Sequence, residues 1–304
     1  MPDPIVVSEL SKSYVNGSRS TVALDSFSFR GNRNMILSLL GRNGSGKTTF
    51  AKIATTQLMP DSGDVYLNGT SVIDEPEEIR ATISLVPQEG RPFGHLTPRE
   101  HVYYYQRMIG ETREKASTIT EMIIEELDIE SFQNTQCVNL SGGQKQTTML
   151  AMALSKDAET YFLDEPTIGL DVITRKRVWE VIERIRRERK MVILTTHYLD
   201  EASVLSDEIC IVSHGRLVSQ GTLNDLRSRL GHDTRIRFST RVDEKIVSSM
   251  GTLVDDEKGQ ILLTESGNVE EVLKTVGYMN GRIEIGPVGL DDVFVSMVGE
   301  DIDE

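Results

Sequence analysis

The 304-residue chain lacks the features of a membrane-spanning or secreted protein. No apolar run approaches the roughly 20 residues that a bilayer-spanning helix needs. Its first four residues, Met1 to Pro4, show no basic segment followed by an apolar one, so no secretory signal is expected. Cysteine is scarce. Cys137 and Cys210 stand far apart, which gives neither a disulfide framework nor zinc spacing and suits a reducing cytosol with ordinary buried thiols. Positive charge is in deficit, with 33 Lys and Arg against 47 Asp and Glu and a formal net charge of −14. Such a balance argues against broad contact with nucleic acid or anionic lipid, because phosphate backbones need clustered Lys and Arg. One local basic run, Arg184, Arg186, Arg187, Arg189 and Lys190, falls at the end of an expected helix. Cations suit the helix dipole there, and this reading is preferred to a binding site. The hydrophobic share of 38% and charged share of 26% are those of a globular protein. The length allows one large domain and a small one.

What is present begins at Gly41. Gly41, Arg42, Asn43, Gly44, Ser45, Gly46, Lys47, Thr48 and Thr49 fit the phosphate-binding pattern G-x-x-x-x-G-K-[ST]. An apolar run of strand length, Met35 to Leu40, precedes them, and Thr48 to Gln57 reads as a helix. Glycines let the backbone curl around a phosphate without Cβ clashes. Amides of the loop and helix start then point at the anion. Lys47 can place charge on the β- and γ-phosphates, and the Thr48 hydroxyl can ligate Mg²⁺.

Along the chain, Ile5 to Leu10 and Phe27 to Arg30 read as strands, with Tyr14 between them. Asp64 to Leu67 is a hairpin strand flanked by turn signals at Asp61 to Gly63 and Asn68-Gly69. Ile83 to Val86 is a further strand, ending at Pro87-Gln88. Pro98 opens a helix that runs to about Met108. Lys115 to Leu127 is an amphipathic helix with Ile119, Met122, Ile123 and Leu127 on one face. Roughly Glu89 to Leu140 is thus a mostly helical insertion. After Leu140 to Gln144 come a helix to about Ser155, a strand Tyr161 to Leu163, a helix Ile173 to Arg189 and a strand Met191 to Thr195. This alternation implies a parallel sheet with its chemistry at the strand ends. A short helix ends near Leu230. Arg235 to Thr240, Val242 to Met250, Thr252 to Val254, Gln260 to Leu263, Val269 to Val276 and Arg282 to Ile285 then read as βαββαβ, the split order of ferredoxin-like domains. Leu290 to Val298 is a closing helix, followed by an acidic tail expected to be disordered.

Several residues at strand ends carry chemistry. Asp164 ends an apolar strand, where a carboxylate can hold Mg²⁺. Glu165 follows and can orient or deprotonate a water. Two adjacent carboxylates repel, so a cation must offset them. His197 and Gln88 end two further strands. Ser141, Gly142 and Gly143, before Gln144, put a hydroxyl and glycine amides at a helix start, a second anion site.

Gly41 to Thr49, Gln88, Leu140 to Gln144, Asp164-Glu165, Asp171 and His197 stand in the order found in the ATP-binding-cassette ATPases, and the chain resembles that family over about residues 5 to 225. The resemblance implies an α/β P-loop NTPase cassette: a mainly parallel sheet core, an antiparallel β subdomain and a helical subdomain at about 89–155. The ATPase domain would span 1–230 and a small α+β C-terminal domain 231–304. It implies ATP and Mg²⁺ as ligands, with Thr48, Gln88 and Asp164 at the metal and Glu165, His197 and Gln88 catalytic. Tyr14 resembles the aromatic that stacks on adenine; a buried core tyrosine is the alternative. One chain has one P-loop and one Ser141 site, which in this family face each other across a head-to-tail dimer. Asp171 resembles the loop that crosses that interface. Leu96 to Glu100, Asp164 to Asp171, Thr196 to Ala202 and Gly289 to Phe294 look like the ATPases that serve drug, sodium and polysaccharide exporters. A homodimer or pseudo-symmetric dimer, bound to transmembrane permease subunits at the cytoplasmic face of the cell membrane, is therefore expected, with no nucleic acid. The alternatives are a soluble cassette ATPase without a permease and a nucleotide-binding regulator that does not hydrolyse. Two departures stand out: Thr147 replaces a frequent Arg, and Ala151-Met152-Ala153 a frequent Ala-Arg-Ala, both on the helix after Ser141.

Overall fold

The computed structural model describes residues 4–17, 19–32, 34–88, 90–256, 259–276 and 282–298. Glu89 and the acidic tail expected after Val298 lie outside the described residues. Two compact units form, Met1–Leu217 and Val218–Glu304.

The first unit opens with a long antiparallel hairpin, β1 (Ile5–Asn16) and β2 (Arg19–Gly31). Two shorter strands were expected; instead β1 runs on through Tyr14. Register shifts around Leu10 and Lys12 bend the pair and break the alternation that marks a strand in sequence. β3 (Ile36–Leu40) is buried throughout and feeds α1 (Lys47–Ala54). β4 (Ser62–Leu67) and β5 (Thr70–Ser71) meet at Asn68-Gly69, both with positive φ, as a tight hairpin turn requires. α2 (Pro76–Thr82) was not anticipated. It buries only Ile79, so no helical stripe announces it. β6 (Ile83–Val86) leads to the helical segment, α3 (Pro98–Met108), α4 (Arg113–Glu126) and α5 (Gly142–Leu154). Thr97 and Glu100 close a reciprocal capping box at the start of α3. On α4 the buried face is Ala116, Thr120, Ile123 and Ile124; Met122, expected inside, is exposed. Then follow β7 (Thr160–Asp164), α6 (Val172–Arg187), β8 (Met191–Thr196), α7 (Leu199–Leu205), β9 (Glu208–Ser213) and β10 (Arg216–Gly221).

The hairpin sheet has the order β2-β1-β4-β5, and the central sheet β10-β9-β3-β8-β7-β6. Within the latter, β9, β3, β8, β7 and β6 are mutually parallel. Their carboxyl ends therefore share one edge, which collects the loops after Leu40, Val86, Asp164 and Thr196. Phe27 and Phe29 of β2 meet Phe50 of α1 edge to face, with centroids 5.3 to 5.7 Å apart. Each such pair contributes about 0.5–1.5 kcal/mol beyond its burial and fixes α1 against the hairpin. Three of the five cations in the basic run at the end of α6 are paired locally: Arg184 with Glu126 and Glu188, Arg186 with Glu183 and Asp207, and Lys190 with Asp157. Both cysteines are buried and free.

The second unit holds α8 (Leu223–Arg229), β11 (Thr234–Phe238), α9 (Glu244–Val247), β12 (Gly251–Asp256), β13 (Gly259–Thr264), α10 (Val269–Val276), β14 (Ile283–Pro287) and α11 (Leu290–Val298). The sheet order is β12-β13-β11-β14, every neighbouring pair antiparallel. Ile236, Phe238, Val247, Leu262, Val272 and Val276 form its core. The helix expected over Val242 to Met250 shrinks to the single turn of α9.

Candidate functional site

The site grows from the shared edge of the parallel strands. After β3 the chain turns with Gly44 and Gly46 at φ 80° and 106°. A Cβ on Gly46 would fall 2.4 Å from the Ala23 carbonyl oxygen, so only glycine lets β2 come this close. Gly46 caps α1 without a side-chain bond, which leaves the first amides of the helix free for an anion.

Lys47 is buried. Its ammonium donates to the carbonyls of Gly41 (2.8 Å) and Arg42 (3.0 Å) and lies 3.9 Å from Glu165 Oε1. Burial lowers its pKa, against the pull of Glu165 and Asp164. The Thr48 hydroxyl stands 3.1 Å from Gln88 Oε1 and 3.3 Å from Asp164 Oδ1. Neighbouring ligands of an octahedral Mg²⁺ with ~2.1 Å bonds are about 3 Å apart, so these three hard oxygens fit that ion, with other positions left for phosphate and water. Burial raises the pKa of Asp164, while the hydroxyls of Thr195 and Thr48 act the other way.

Glu165 is buried and adopts φ 50°, a left-handed conformation that costs a side-chain-bearing residue about 1–3 kcal/mol. Bonds from neighbouring strands hold it there. Its N–H reaches the Thr195 carbonyl (3.1 Å) and Oγ1 (3.2 Å); its Oε2 accepts from Gln88 Nε2 (3.0 Å); its Oε1 lies 3.2 Å from His197 Nδ1. Gln88, Glu165 and His197 thus converge from three adjacent strand ends, beside Lys47.

The cleft here has a volume of about 240 Å³ and is lined by Asn43, Gly44, Gly46 to Thr49, Gln88 and Glu165, together with Thr21, Val22 and Ala23 from β2. The β2 residues escaped the sequence reading. Nothing local marks them, because they reach the cleft only where the bulged hairpin folds over it. Thr195, which hydrogen-bonds Asp164, was also missed. Tyr14 is half exposed rather than buried in the core, and its hydroxyl lies 3.4 Å from Thr49 Oγ1. Ser45 is buried with its Oγ unbonded, while Arg42 is exposed.

Ser141, Gly142, Gly143, Gln144 and Asp171 do not line this cleft. Ser141 caps α5, exchanging bonds with Gln144 at 3.2 and 3.0 Å. Asp171 caps α6; its carboxylate accepts from the amides of Ile173 (2.9 Å) and Thr174 (3.0 Å), and bonds from Thr174 hold its pKa below the usual range. A Cβ on Gly143 would lie 3.2 Å from the Gly169 carbonyl, and Gln146 donates to the Pro166 carbonyl at 3.1 Å, so the start of α5 abuts the loop before Asp171. Thr147 is buried and returns its hydroxyl to the Gly143 carbonyl, so the departure from Arg is absorbed inside the helix packing.

The family model for ABC transporters matches residues 24–168. The chain is 31% identical to the Nod factor export ATP-binding protein I of Rhizobium etli, across 98% of this chain and 94% of that protein. It is also 31% identical to the doxorubicin resistance ATP-binding protein DrrA of Mycobacterium tuberculosis, across 87% of this chain and 80% of that one. The retinal-specific phospholipid-transporting ATPase ABCA4 of Homo sapiens is 33% identical over 78% of this chain, which spans only 10% of that longer protein. A solved ATP-binding subunit of an ABC transporter superposes with a TM-score of 0.68 at 26% identity, covering 75% of this chain and 93% of that chain. A dimeric ATP-binding cassette in a post-hydrolysis state with ADP and Pi superposes with a TM-score of 0.67 at 24% identity, covering 72% and 98%, a likeness in fold. With its P-loop, its paired carboxylates and a relative matched over 94% of that protein's length, this chain belongs to the ABC transporter family as an ATP-binding cassette.

Proposed function

We propose that the chain is the ATP-hydrolysing subunit of an ABC exporter and drives separate transmembrane permease subunits from the cytoplasmic face of the membrane. The observation that carries the reading is the convergence of Gln88, His197 and Lys47 on Glu165, beside Asp164. In this reading the P-loop amides and Lys47 hold the β- and γ-phosphates. Glu165 takes a proton from the attacking water as the bond between the γ-phosphorus and its bridging oxygen breaks. His197 steadies Glu165 and the γ-phosphate, and Gln88 senses both. Thr48, Asp164 and Gln88 would hold Mg²⁺, which would supply positive charge against that of the phosphates. Tyr14 supports the base. Ser141, Gly142, Gly143 and Gln144 of one chain complete the site of another, and Asp171 lies at the junction.

Export is favoured because the relatives matched over most of their length are an export protein and a drug-resistance protein by name. That match also extends through the second unit, which a cassette acting without a permease has less reason to share. No helix among the described residues is long and apolar enough to cross a membrane. In domain terms the reading assigns 1–230 to the ATPase, with its helical subdomain at about 89–155, and 231–304 to a small domain whose strand order is that of the ferredoxin-like split unit.

The reading puts the partner surface on the helical segment after Gln88. Three consecutive tyrosines on α3 cannot share one core. Tyr104 is the exposed one (48%), beside Tyr103 at 5.5 Å, and Phe93 is 76% exposed while stacking on His101. Tyr105 is the poorer candidate, since burial raises its phenol pKa. Phe93→Asp and Tyr104→Asp should fold and keep ATP turnover within about twofold, as exposed substitutions do. At least one should lose co-purification with the membrane partner. Normal binding by both variants would place the docking surface elsewhere.

A further inference from the structure

A buried carboxylate outside the catalytic cluster ties together the two loops that carry it. Glu201, in α7, has no exposed surface. The Thr167 hydroxyl donates to its Oε1 at 2.8 Å, and the Trp179 indole N–H donates to the same oxygen at 3.1 Å. Thr167 lies two residues after Glu165, in the loop that leads to Asp171. Trp179 lies on α6, which that loop feeds. Glu201 itself follows His197 by four residues. One oxygen therefore joins the loop after β7, helix α6 and helix α7, which follows the His197 loop.

The site is costly for a carboxylate. Burial pushes its pKa up, opposed by Thr196, Thr167, Trp179 and the Arg175 charge, and Oε2 makes no hydrogen bond. An apolar residue of similar size usually packs such a space as well or better, so stability alone does not account for an acid here. A second contact set spans the same elements. Arg175, in the first turn of α6, lies over the Tyr198 ring at 4.8 Å and pairs with Asp200 at 3.5 Å, and the Tyr198 ring is 4.2 Å from that of His197.

We propose that Glu201 is a positioning residue that locks the loop from Glu165 to Asp171 onto the loop after His197, so that Glu165 and His197 meet the γ-phosphate in one fixed geometry. The proposal rests on the ATPase reading above. Glu201 touches neither substrate nor metal; it acts through Thr167 and the helix it shares with the His197 loop.

The test uses the purified chain. Glu201→Leu removes the acceptor at similar volume, and Thr167→Val removes the donor at nearly constant shape. Small misplacements of reacting groups cost up to about a hundredfold, so each variant should lower kcat by about ten- to a hundredfold. The KM for ATP should stay within about twofold, because ground-state binding is untouched. The double variant should be no worse than the stronger single, since both act through one contact. Trp179 is the chain's only tryptophan, so its emission reports the hydrogen bond; Glu201→Leu should shift it, and Trp179→Phe should abolish the signal. Unchanged kcat per folded molecule in Thr167→Val overturns the proposal, as does a loss explained by weaker ATP binding. If Glu201→Leu does not fold, Thr167→Val decides alone. Wild-type turnover separates the failures: an inactive wild type defeats the ATPase reading and this proposal with it, whereas an active wild type matched by Thr167→Val defeats only this proposal.

Discussion

Glu165→Gln is expected to lose ATP turnover by about 10²–10⁴-fold, the range for removal of a general base, while still binding ATP. The substitution preserves shape, so the bonds from Gln88 Nε2 and the backbone anchors to Thr195 have counterparts in the variant. What it removes is the basic oxygen beside His197 and Lys47. Because Glu165 sits at φ 50° whatever its side chain carries, the backbone conformation should persist and the loss should fall on kcat. Steady-state hydrolysis with a parallel measurement of ATP binding distinguishes the outcomes. Near-normal hydrolysis would remove Glu165 from the role of base.

The second large effect concerns Ser141. Within one chain the Ser141 to Gln144 turn does not line the P-loop cleft, and the sequence holds one copy of each motif. If both are needed for one nucleotide, Ser141→Arg should abolish turnover although its own P-loop is intact. Lys47→Ala should do the same, since loss of a fixed electrostatic contact to a reacting group costs about 10²–10³-fold. Mixed in equal amounts, the two variants should regain some hydrolysis if one intact site suffices. A mixed dimer carries both defects at one site and none at the other, and random pairing across a twofold axis leaves about a quarter of all sites intact. Full-rate hydrolysis by Ser141→Arg alone would end the shared-site account.

Much of this architecture was legible because the motifs sit next to their strands. Gly41, Gln88, Glu165 and His197 each follow a short apolar run, and a parallel sheet brings the ends of such runs to one edge. The helix start at Pro98 and the Asn68-Gly69 turn were readable for the same reason: their chemistry is local. Features that depend on long-range packing were not. The bulges of the first hairpin hide its true length and the approach of Thr21 to Ala23 to the cleft. On α4, Met122 is as apolar as its neighbours, and only the packed structure turns it outward. Glu201 meets Thr167 and Trp179 across 34 and 22 residues, with no pattern linking the three in sequence. Thr147 likewise looked like a mere departure until its burial and its bond to Gly143 were seen.

The central claim is that ATP is held between two copies of this cassette. The most direct test is the mass in solution, together with the nucleotide content, of Glu165→Gln under saturating ATP and Mg²⁺. Slowed hydrolysis should trap the closed state. The account predicts a particle of two chains holding two ATP molecules, which separates into single chains when ADP replaces ATP or when Ser141→Arg is added to the same chain. A variant that binds ATP fully yet stays a single chain at every concentration tested would contradict it.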